Sequence, residues 1–172
     1  MIVRHAQAEH VDDLADVDRA LTPRGRRDAA ALGRWLAERV GPPDLVLCSS
    51  ARRTVQTWQL AAAVLSDELS DEVSDEVQVH ERDDLYLGSA GTLLAATRAV
   101  PADVRTLVLV GHEPVQSTLA QALAGPGSSP AAVTGMAAGF STGAAAVLDV
   151  EGPWDALQPH GGRLVAFTVP RG

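Results

Sequence analysis

The stretch TLVLVGHE, residues 106–113, places four consecutive aliphatic residues between Thr106 and a Gly-His pair. A short apolar run that ends at a turn residue is typical of a strand buried on both faces of a parallel sheet. Residues 44–48 (DLVLC) form a second run of this kind, and weaker runs lie at residues 77–80 and 1–3. The sequence therefore predicts four strands in one mainly parallel sheet.

Helical patterns separate these strands. Apolar residues recur with the spacing of one helix face in residues 25–40, 52–65, 92–100 and 115–124. Strands that alternate with helices predict a parallel sheet with helices on both faces. The expected fold class is α/β, a three-layer α/β/α sandwich, and the length of 172 residues fits a single domain, residues 1–172.

The C-terminal third has a different pattern. Two apolar runs, residues 144–150 and 163–169, are joined by a segment without the helix that a parallel crossover needs. We therefore expect these two strands to pair antiparallel at the edge of the sheet. Residues 125–139, rich in Gly, Ala, Ser and Pro, favour a loop.

Charge and composition exclude several classes of protein. The formal net charge of −8 argues against nonspecific nucleic-acid binding, and all 14 basic residues are arginine, so any anion site here uses guanidinium groups. The single cysteine, Cys48, cannot form an intramolecular disulfide or a structural zinc site; it favours a reducing cytoplasm and is expected to be buried in a strand. No apolar run approaches the roughly 18 residues needed to cross a bilayer.

One internal repeat, Ser-Asp-Glu followed by Leu or Val, occurs three times in residues 66–77. It could form an acidic docking surface for a basic partner. The interpretation we favour is a solvated extension of the preceding helix, in which Leu69, Val73 and Val77 pack on the body of the protein at i, i+4 spacing.

Residues suited to phosphate chemistry follow three of the predicted strands. Arg4 and His5 follow the first strand, Arg53 lies where a helix follows the second, and His112 follows the fourth. In open α/β sheets, ligands bind outside the carboxyl ends of the strands, where helix N-termini direct free N–H groups at anions. Phosphoryl transfer needs a nucleophile, an in-line path and positive groups on the phosphate oxygens. This set of residues therefore indicates a phosphoryl-transfer site.

The same motifs resemble those of the histidine phosphatase superfamily, with its phosphoglycerate-mutase-like fold, and of its short phosphohistidine phosphatase branch, typified by SixA. Nearly the whole chain shares the resemblance. The motifs are Arg-His-Ala at residues 4–6, Leu-Thr-x-x-Gly at 21–25, Ser-x-x-x-Arg-x-x-Gln-Thr at 49–57, Gly-His at 111–112, Thr-Gly-Ala at 142–144 and Pro-Arg at 170–171.

The resemblance implies a role for each of these residues. His5 would be the nucleophile that becomes phosphorylated, and Arg4, Arg53 and His112 would hold the phosphate. The spacing within the second motif selects Arg53 as the phosphate ligand instead of its neighbour Arg52.

Two acidic positions leave alternatives open. The general acid of the family follows the third strand, where Asp84 is the best match and Glu81 and Asp83 compete with it. Glu113 stands next to His112; it either turns outward to complement the N-terminus of the following helix or faces the phosphate pocket and weakens phosphate binding.

The sequence therefore predicts a metal-independent phosphatase that acts through a phosphohistidine intermediate on His5. Its expected partner is a protein phosphohistidine, because the short chain leaves little room for the insertions that enclose small sugar phosphates. A broad-specificity phosphomonoesterase for small molecules is one alternative, and a phosphate-binding or interaction module without turnover is the other. We expect no metal or organic cofactor, and neither nucleic acid nor membrane as a partner.

Overall fold

The sheet of the protein contains six strands, which a computed structural model describes together with five α-helices over residues 1–69 and 77–172. The strands are β1 (Ile2–Arg4), β2 (Leu45–Ser49), β3 (Gln78–Arg82), β4 (Leu107–Gly111), β5 (Ala145–Val150) and β6 (Gly162–Thr168). The helices are α1 (Pro23–Arg39), α2 (Arg52–Glu68), α3 (Ala90–Arg98), α4 (Val115–Leu123) and α5 (Pro130–Ala137). Among the described residues, no helix is long and apolar enough to cross a membrane.

The strands lie in the order β3-β2-β4-β1-β5-β6. The first four strands pair parallel, whereas β5 runs antiparallel to β1 and β6 antiparallel to β5. The predicted parallel sheet with an antiparallel C-terminal edge is thus confirmed. Because β2, β4 and β1 are neighbours, their carboxyl ends lie side by side at one edge.

Two apolar cores cover the two faces of the sheet. Alternate residues of a strand point to opposite faces, so Val46 and Cys48 of β2 pack with α1 and α2, whereas Leu45 and Leu47 pack in the core that contains α3, α4 and α5. This arrangement confirms the three-layer α/β/α fold. Cys48 is fully buried within β2, as predicted.

The loop predicted for residues 125–139 is wrong in its centre, where α5 forms. The side-chain oxygen of Ser129 accepts a hydrogen bond from the Ala132 N–H at 3.4 Å, and Pro130 occupies the first turn, where its missing N–H costs nothing. Ala132 and Met136 then pack into the core. Composition alone pointed to a loop, but the Ser-Pro start signal and this burial determine a helix.

The acidic repeat begins on α2, which extends to Glu68, three residues beyond the predicted end of this helix. Leu69, the residue after this helix, packs against the core beside α1 and α2, as predicted. Val77 also packs there, but it directly precedes β3 and does not belong to the helix. Val73 lies outside the described residues, as does the rest of the repeat between residues 70 and 76.

The start of α1 packs tightly on the segment that follows β1. The side-chain oxygen of Thr22 accepts a hydrogen bond from the Gly25 N–H at 2.9 Å, while the Thr22 N–H donates to the Gln7 carbonyl at 3.0 Å. Gly25 lies so close to the Gln7 carbonyl that a β-carbon would overlap it. This contact fixes the first helix against the chain two residues beyond His5.

Candidate active site

His5, Arg53 and His112 lie together at the carboxyl edge of the sheet. The ring centroids of His5 and His112 are 5.2 Å apart, and Nη2 of Arg53 is 3.3 Å from Nδ1 of His112. The sheet order produces this proximity: Arg4 is paired with Gly111 between β1 and β4, so the next residue of each strand, His5 and His112, leaves the sheet at the same level. The structure brings together these three residues that the sequence singled out.

The main chain and the ring of His5 are both held. Its N–H donates to the Gly111 carbonyl and its carbonyl accepts from the Gly143 N–H, both at 3.0 Å. Nδ1 lies 2.7 Å from the Ala6 carbonyl. Because a carbonyl only accepts, Nδ1 carries the proton and Nε2 keeps its lone pair. Burial, together with the nearby His112, Arg53 and Arg4, lowers the pKa of His5 to about 3, so the imidazole is neutral at pH 7.

His112 has the opposite tautomer. An arginine only donates, so Nδ1 of His112 accepts from Arg53, and Nε2 donates to the Ser49 hydroxyl at 2.8 Å. Burial, followed by the charge of Arg53, lowers the pKa of His112 to about 4. His112 is therefore neutral at pH 7 and offers an N–H at Nε2.

Arg4 is anchored at one end of its guanidinium and free at the other. Nη1 donates to the Phe140 carbonyl at 2.8 Å. Nε is buried, and among the described residues it has no hydrogen-bond partner. An unpaired buried donor of this kind is costly unless a ligand satisfies it.

Arg53 is buried and is tied to a residue that the sequence did not single out. Its Nη1 donates to the Asp16 carbonyl at 2.5 Å and its Nη2 to Oδ2 of Asp16 at 2.8 Å. Tyr86 donates its hydroxyl to the same Oδ2 at 2.7 Å. The Tyr86 ring lies edge-on to His112 at 5.5 Å between centroids and 5.8 Å from Cζ of Arg53.

Asp16 and Tyr86 are thus site residues that sequence reasoning missed. Asp16 lies in a short 3₁₀ helix, Asp16–Asp18, within an acidic stretch where nothing in the pattern separates it from its neighbours. Tyr86 is the single tyrosine of the chain and follows the predicted acid by two residues, which is the one signal that could have drawn attention to it.

Thr57 joins the two segments that carry the catalytic candidates. Its hydroxyl oxygen accepts from the Ala6 N–H at 3.0 Å and donates to the Arg53 carbonyl at 2.6 Å. Because Thr57 is fully buried, these bonds lie out of water and hold the residue after His5 against the first turn of α2. The threonine that ends the motif at residues 49–57 is therefore a structural link within the site.

The carboxylate of Asp84 is paired with Arg82. Its exposed carboxylate accepts from Nε and Nη2 of Arg82 at 2.9 and 2.6 Å. Among the described residues, neither Asp84 nor its competitors Glu81 and Asp83 forms a hydrogen bond or ion pair with His5, Arg53 or His112. The assignment of the general acid stays a prediction.

Glu113 turns toward the helix that follows it. Its Oε2 accepts from the Ser117 N–H at 3.4 Å, in the first turn of α4. Its negative charge still affects Arg4: it raises the pKa of Arg4 and so opposes the larger lowering caused by burial. Over residues 1–69 and 77–172, no group of three or more His, Cys, Asp and Glu side chains could hold a metal ion.

Sequence comparison identifies relatives over the whole chain. Residues 1–83 match the family described as the histidine phosphatase superfamily (branch 1). An uncharacterized protein of Mycobacterium tuberculosis is 38% identical over 170 residues, which cover 98% of this chain and 100% of the relative. An uncharacterized protein of Mycobacterium leprae is 35% identical over 173 residues, with 98% and 100% covered.

Solved structures share the fold. The candidate phosphohistidine phosphatase SixA from Nakamurella multipartitia is 34% identical with a TM-score of 0.82, over 98% of this chain and 94% of that chain. The corresponding protein from Agrobacterium tumefaciens is 27% identical with a TM-score of 0.78, over 98% and 95%. A protein histidine phosphatase SixA complexed with tungstate, 22% identical with a TM-score of 0.74 over 98% and 95%, is similar in fold.

Proposed function

Because the chain belongs to the histidine phosphatase superfamily and is a phosphatase with a SixA-like fold, we propose that it hydrolyses phosphohistidine on a protein, through a phosphoryl intermediate on His5. The supporting observation is the unpaired buried Nε of Arg4, beside which His5 keeps the lone pair on its Nε2. A phosphate oxygen would satisfy that donor. We propose Arg4, Arg53 and His112 as the residues that hold the phosphate.

In the first step, the lone pair on Nε2 of His5 forms a bond to phosphorus while the bond from phosphorus to the substrate nitrogen breaks. The electron pair of that bond stays on the substrate imidazole, which takes a proton from a water molecule and leaves a hydroxide ion. His5 keeps its proton on Nδ1 and becomes positively charged. The hydrogen bond from Nδ1 to the Ala6 carbonyl stabilises this charge, since bonds from charged donors are stronger.

In the second step, water attacks phosphorus from the side opposite His5. The bond between phosphorus and Nε2 breaks and its electron pair returns to His5. The proton of the attacking water neutralises the hydroxide ion left by the first step, so the product is hydrogen phosphate. Throughout both steps, the guanidinium groups of Arg4 and Arg53 offer donors for the nonbridging oxygens, and the Nε2–H of His112 would turn from the Ser49 hydroxyl to a phosphate oxygen. We propose that this supply of positive charge makes a metal unnecessary.

The proposal assigns Asp84 no required role with this substrate. Its pair with Arg82 lowers the pKa of the Asp84 carboxyl, which makes it a poor proton donor at neutral pH. An oxygen ester would depend on such a donor more than phosphohistidine does, because the bond from phosphorus to imidazole is labile. This difference favours phosphohistidine over small phosphomonoesters.

The proposed substrate is a protein because the segment between β3 and α3, residues 83–89, is too short for an insertion that would enclose a small substrate. We propose that the reaction takes place in the cytoplasm, where the thiol of Cys48 would stay reduced.

The test measures hydrolysis of a phosphohistidine peptide and of p-nitrophenyl phosphate, both in the presence of EDTA. We expect turnover of both substrates, a higher kcat/KM for the peptide, and loss of turnover in His5→Ala. His10→Ala, at an exposed histidine of the same segment, is the matched control and should retain activity. Equal rates for His5→Ala and the unmodified protein would overturn the role of His5; loss of activity with EDTA would overturn metal independence.

A further inference from the structure

Asp16 occupies the end of the Arg53 guanidinium. Its main-chain oxygen accepts from Nη1 and its Oδ2 from Nη2, while the Arg53 side chain is only 7% exposed. These bonds fix both terminal nitrogens in one orientation. Among the described residues, no hydrogen bond occupies Nε of Arg53, so this atom remains for a phosphate oxygen, as the unpaired Nε of Arg4 does.

Asp16 is itself held from two further sides. Its Oδ2 also accepts from the Tyr86 hydroxyl, and its Oδ1 accepts from Nη1 of Arg19 at 2.8 Å. The hydrogen bond from Tyr86, followed by that from Arg19, lowers the pKa of the carboxyl, which is therefore ionised at neutral pH. A charged carboxylate thus stands beside the proposed phosphate site and is prevented from turning away.

We propose that Asp16 is a positioning residue for phosphoryl transfer: it fixes the Arg53 guanidinium so that its free edge faces the phosphoryl group between His5 and His112. This inference rests on the proposed function, since it assigns the aligned guanidinium to the transition state of that reaction. Tyr86 supports the same role, because its hydroxyl donates to the Asp16 carboxylate and its ring packs edge-on against His112.

Two effects of the Asp16 side chain on the anion have opposite signs. Alignment of Arg53 stabilises the charge that develops in the transition state and increases kcat. The negative charge of the carboxylate repels a bound phosphate and weakens ground-state binding. Removal of the side chain should therefore lower kcat without weakening the affinity for phosphate. A residue that merely supported the loop would weaken both when removed.

The experiment compares Asp16→Ala and Asp16→Asn with Asp18→Ala, measuring kcat and KM for p-nitrophenyl phosphate and the inhibition constant of inorganic phosphate. We expect Asp16→Ala to lower kcat roughly tenfold, with the inhibition constant unchanged or lower. Asp16→Asn should lie between, because its amide oxygen still accepts from Arg53. Asp18, exposed in the same short helix and without an ion pair among the described residues, is the matched control and should stay within about twofold.

A double-mutant cycle with Arg53→Ala separates this role from a general effect on the site. If Asp16 acts through Arg53, adding Asp16→Ala to Arg53→Ala should lower kcat by less than about twofold more. An unchanged kcat in Asp16→Ala, or an equal loss in both backgrounds, would overturn the inference. Thermal unfolding of each variant identifies loss of fold, and Asp16→Asn keeps the test decisive if the alanine variant unfolds.

The failure of this inference differs from a failure of the proposed function. If the unmodified protein and His5→Ala hydrolyse both substrates equally, the proposed function fails whatever Asp16 does. If His5→Ala and Arg53→Ala lose activity as expected while Asp16→Ala keeps its kcat, only the role of Asp16 fails.

Discussion

His5 and His112 lie 5.2 Å apart between ring centroids, yet their hydrogen bonds place the proton on different ring nitrogens. The Ala6 carbonyl fixes the proton of His5 on Nδ1, whereas Arg53 and Ser49 fix that of His112 on Nε2. One ring therefore presents a lone pair and the other a donor. Because both imidazoles are neutral and differ in this way, neither ring needs to gain or lose a proton before a phosphoryl group binds.

This arrangement predicts the nitrogen spectra of the two histidines. We expect long-range ¹⁵N–¹H correlation at pH 7 to show His5 protonated on Nδ1 and His112 protonated on Nε2. His5→Gln and His112→Gln would assign the signals. A His5 signal protonated on Nε2 would contradict the proposed nucleophile, because that nitrogen would have no free lone pair.

The pH dependence of stability should reflect the buried His5. In the unfolded chain a histidine takes up a proton near pH 6.5, whereas the pKa of folded His5 is about 3. As pH falls below 6.5, the unfolded state binds the proton first, so the free energy of unfolding decreases, by at most about 1.4 kcal/mol per pH unit for this residue. His112 acts in the same direction down to its pKa of about 4.

Urea unfolding between pH 7 and pH 4.5 measures this dependence. The range lies above the pH at which an aspartate such as Asp16 takes up a proton in the unfolded chain. We expect a shallower decrease for His5→Gln, because this variant has one histidine fewer to protonate on unfolding. His10→Gln, an exposed position, serves as the reference. If all three proteins have the same slope, His5 does not have its pKa lowered by the fold.

Substitution of two adjacent arginines tests which of them binds phosphate. Arg53 is buried beside His112, whereas Arg52 is exposed and donates to the Asp18 carbonyl at 3.5 Å. We expect Arg53→Ala to lower kcat roughly 10²- to 10³-fold, as loss of a transition-state donor does. Arg52→Ala should change kcat little. The reverse outcome in steady-state kinetics would show that the phosphate ligand had been assigned to the wrong arginine.

Gly25→Ala should destabilise the protein and impair the site together. A β-carbon there would overlap the Gln7 carbonyl, so the first turn of α1 or the segment after His5 must move. We expect a loss of about 1–3 kcal/mol in the free energy of unfolding and a lower kcat/KM.

Gly91→Ala is the matched control, because it also lies in the first turn of a helix but is exposed, with its nearest neighbour 3.5 Å from the added carbon. There we expect a gain of roughly 0.5–1 kcal/mol from better helix propensity. Urea unfolding compares the two variants. Equal stability of both would show that the contact between α1 and Gln7 adapts at no cost.

The sequence predicted the sheet, and it singled out three side chains that the structure brings together, because both depend on local patterns. Apolar runs defined the strands, and once those strands lie in a parallel sheet their ends must share an edge, which brings His5 and His112 together. The helix α5 was missed because small residues gave a weak helical pattern, and its start depends on the capping pair Ser129 and Pro130.

Asp16 and Tyr86 could not be predicted in the same way. Each contacts Arg53 or His112 from a segment without a regular pattern. The sequence of such a segment does not determine the direction in which a side chain points. Asp84 is the opposite case, a residue that the sequence suggested and that the structure pairs with a neighbour. Its position in the sequence suggested a site residue, but a local ion pair with Arg82 holds its carboxylate.

Cys48 gives the protein an internal reporter of motion beneath the site. Burial raises the pKa of its thiol to about 12, and an alkylating reagent can modify it only after α1 or α2, which cover this face of β2, moves away. The next residue, Ser49, holds His112. The alkylation rate would therefore measure how often the packing beneath the proposed phosphate site opens. An oxyanion bound by residues at the ends of several strands should slow alkylation.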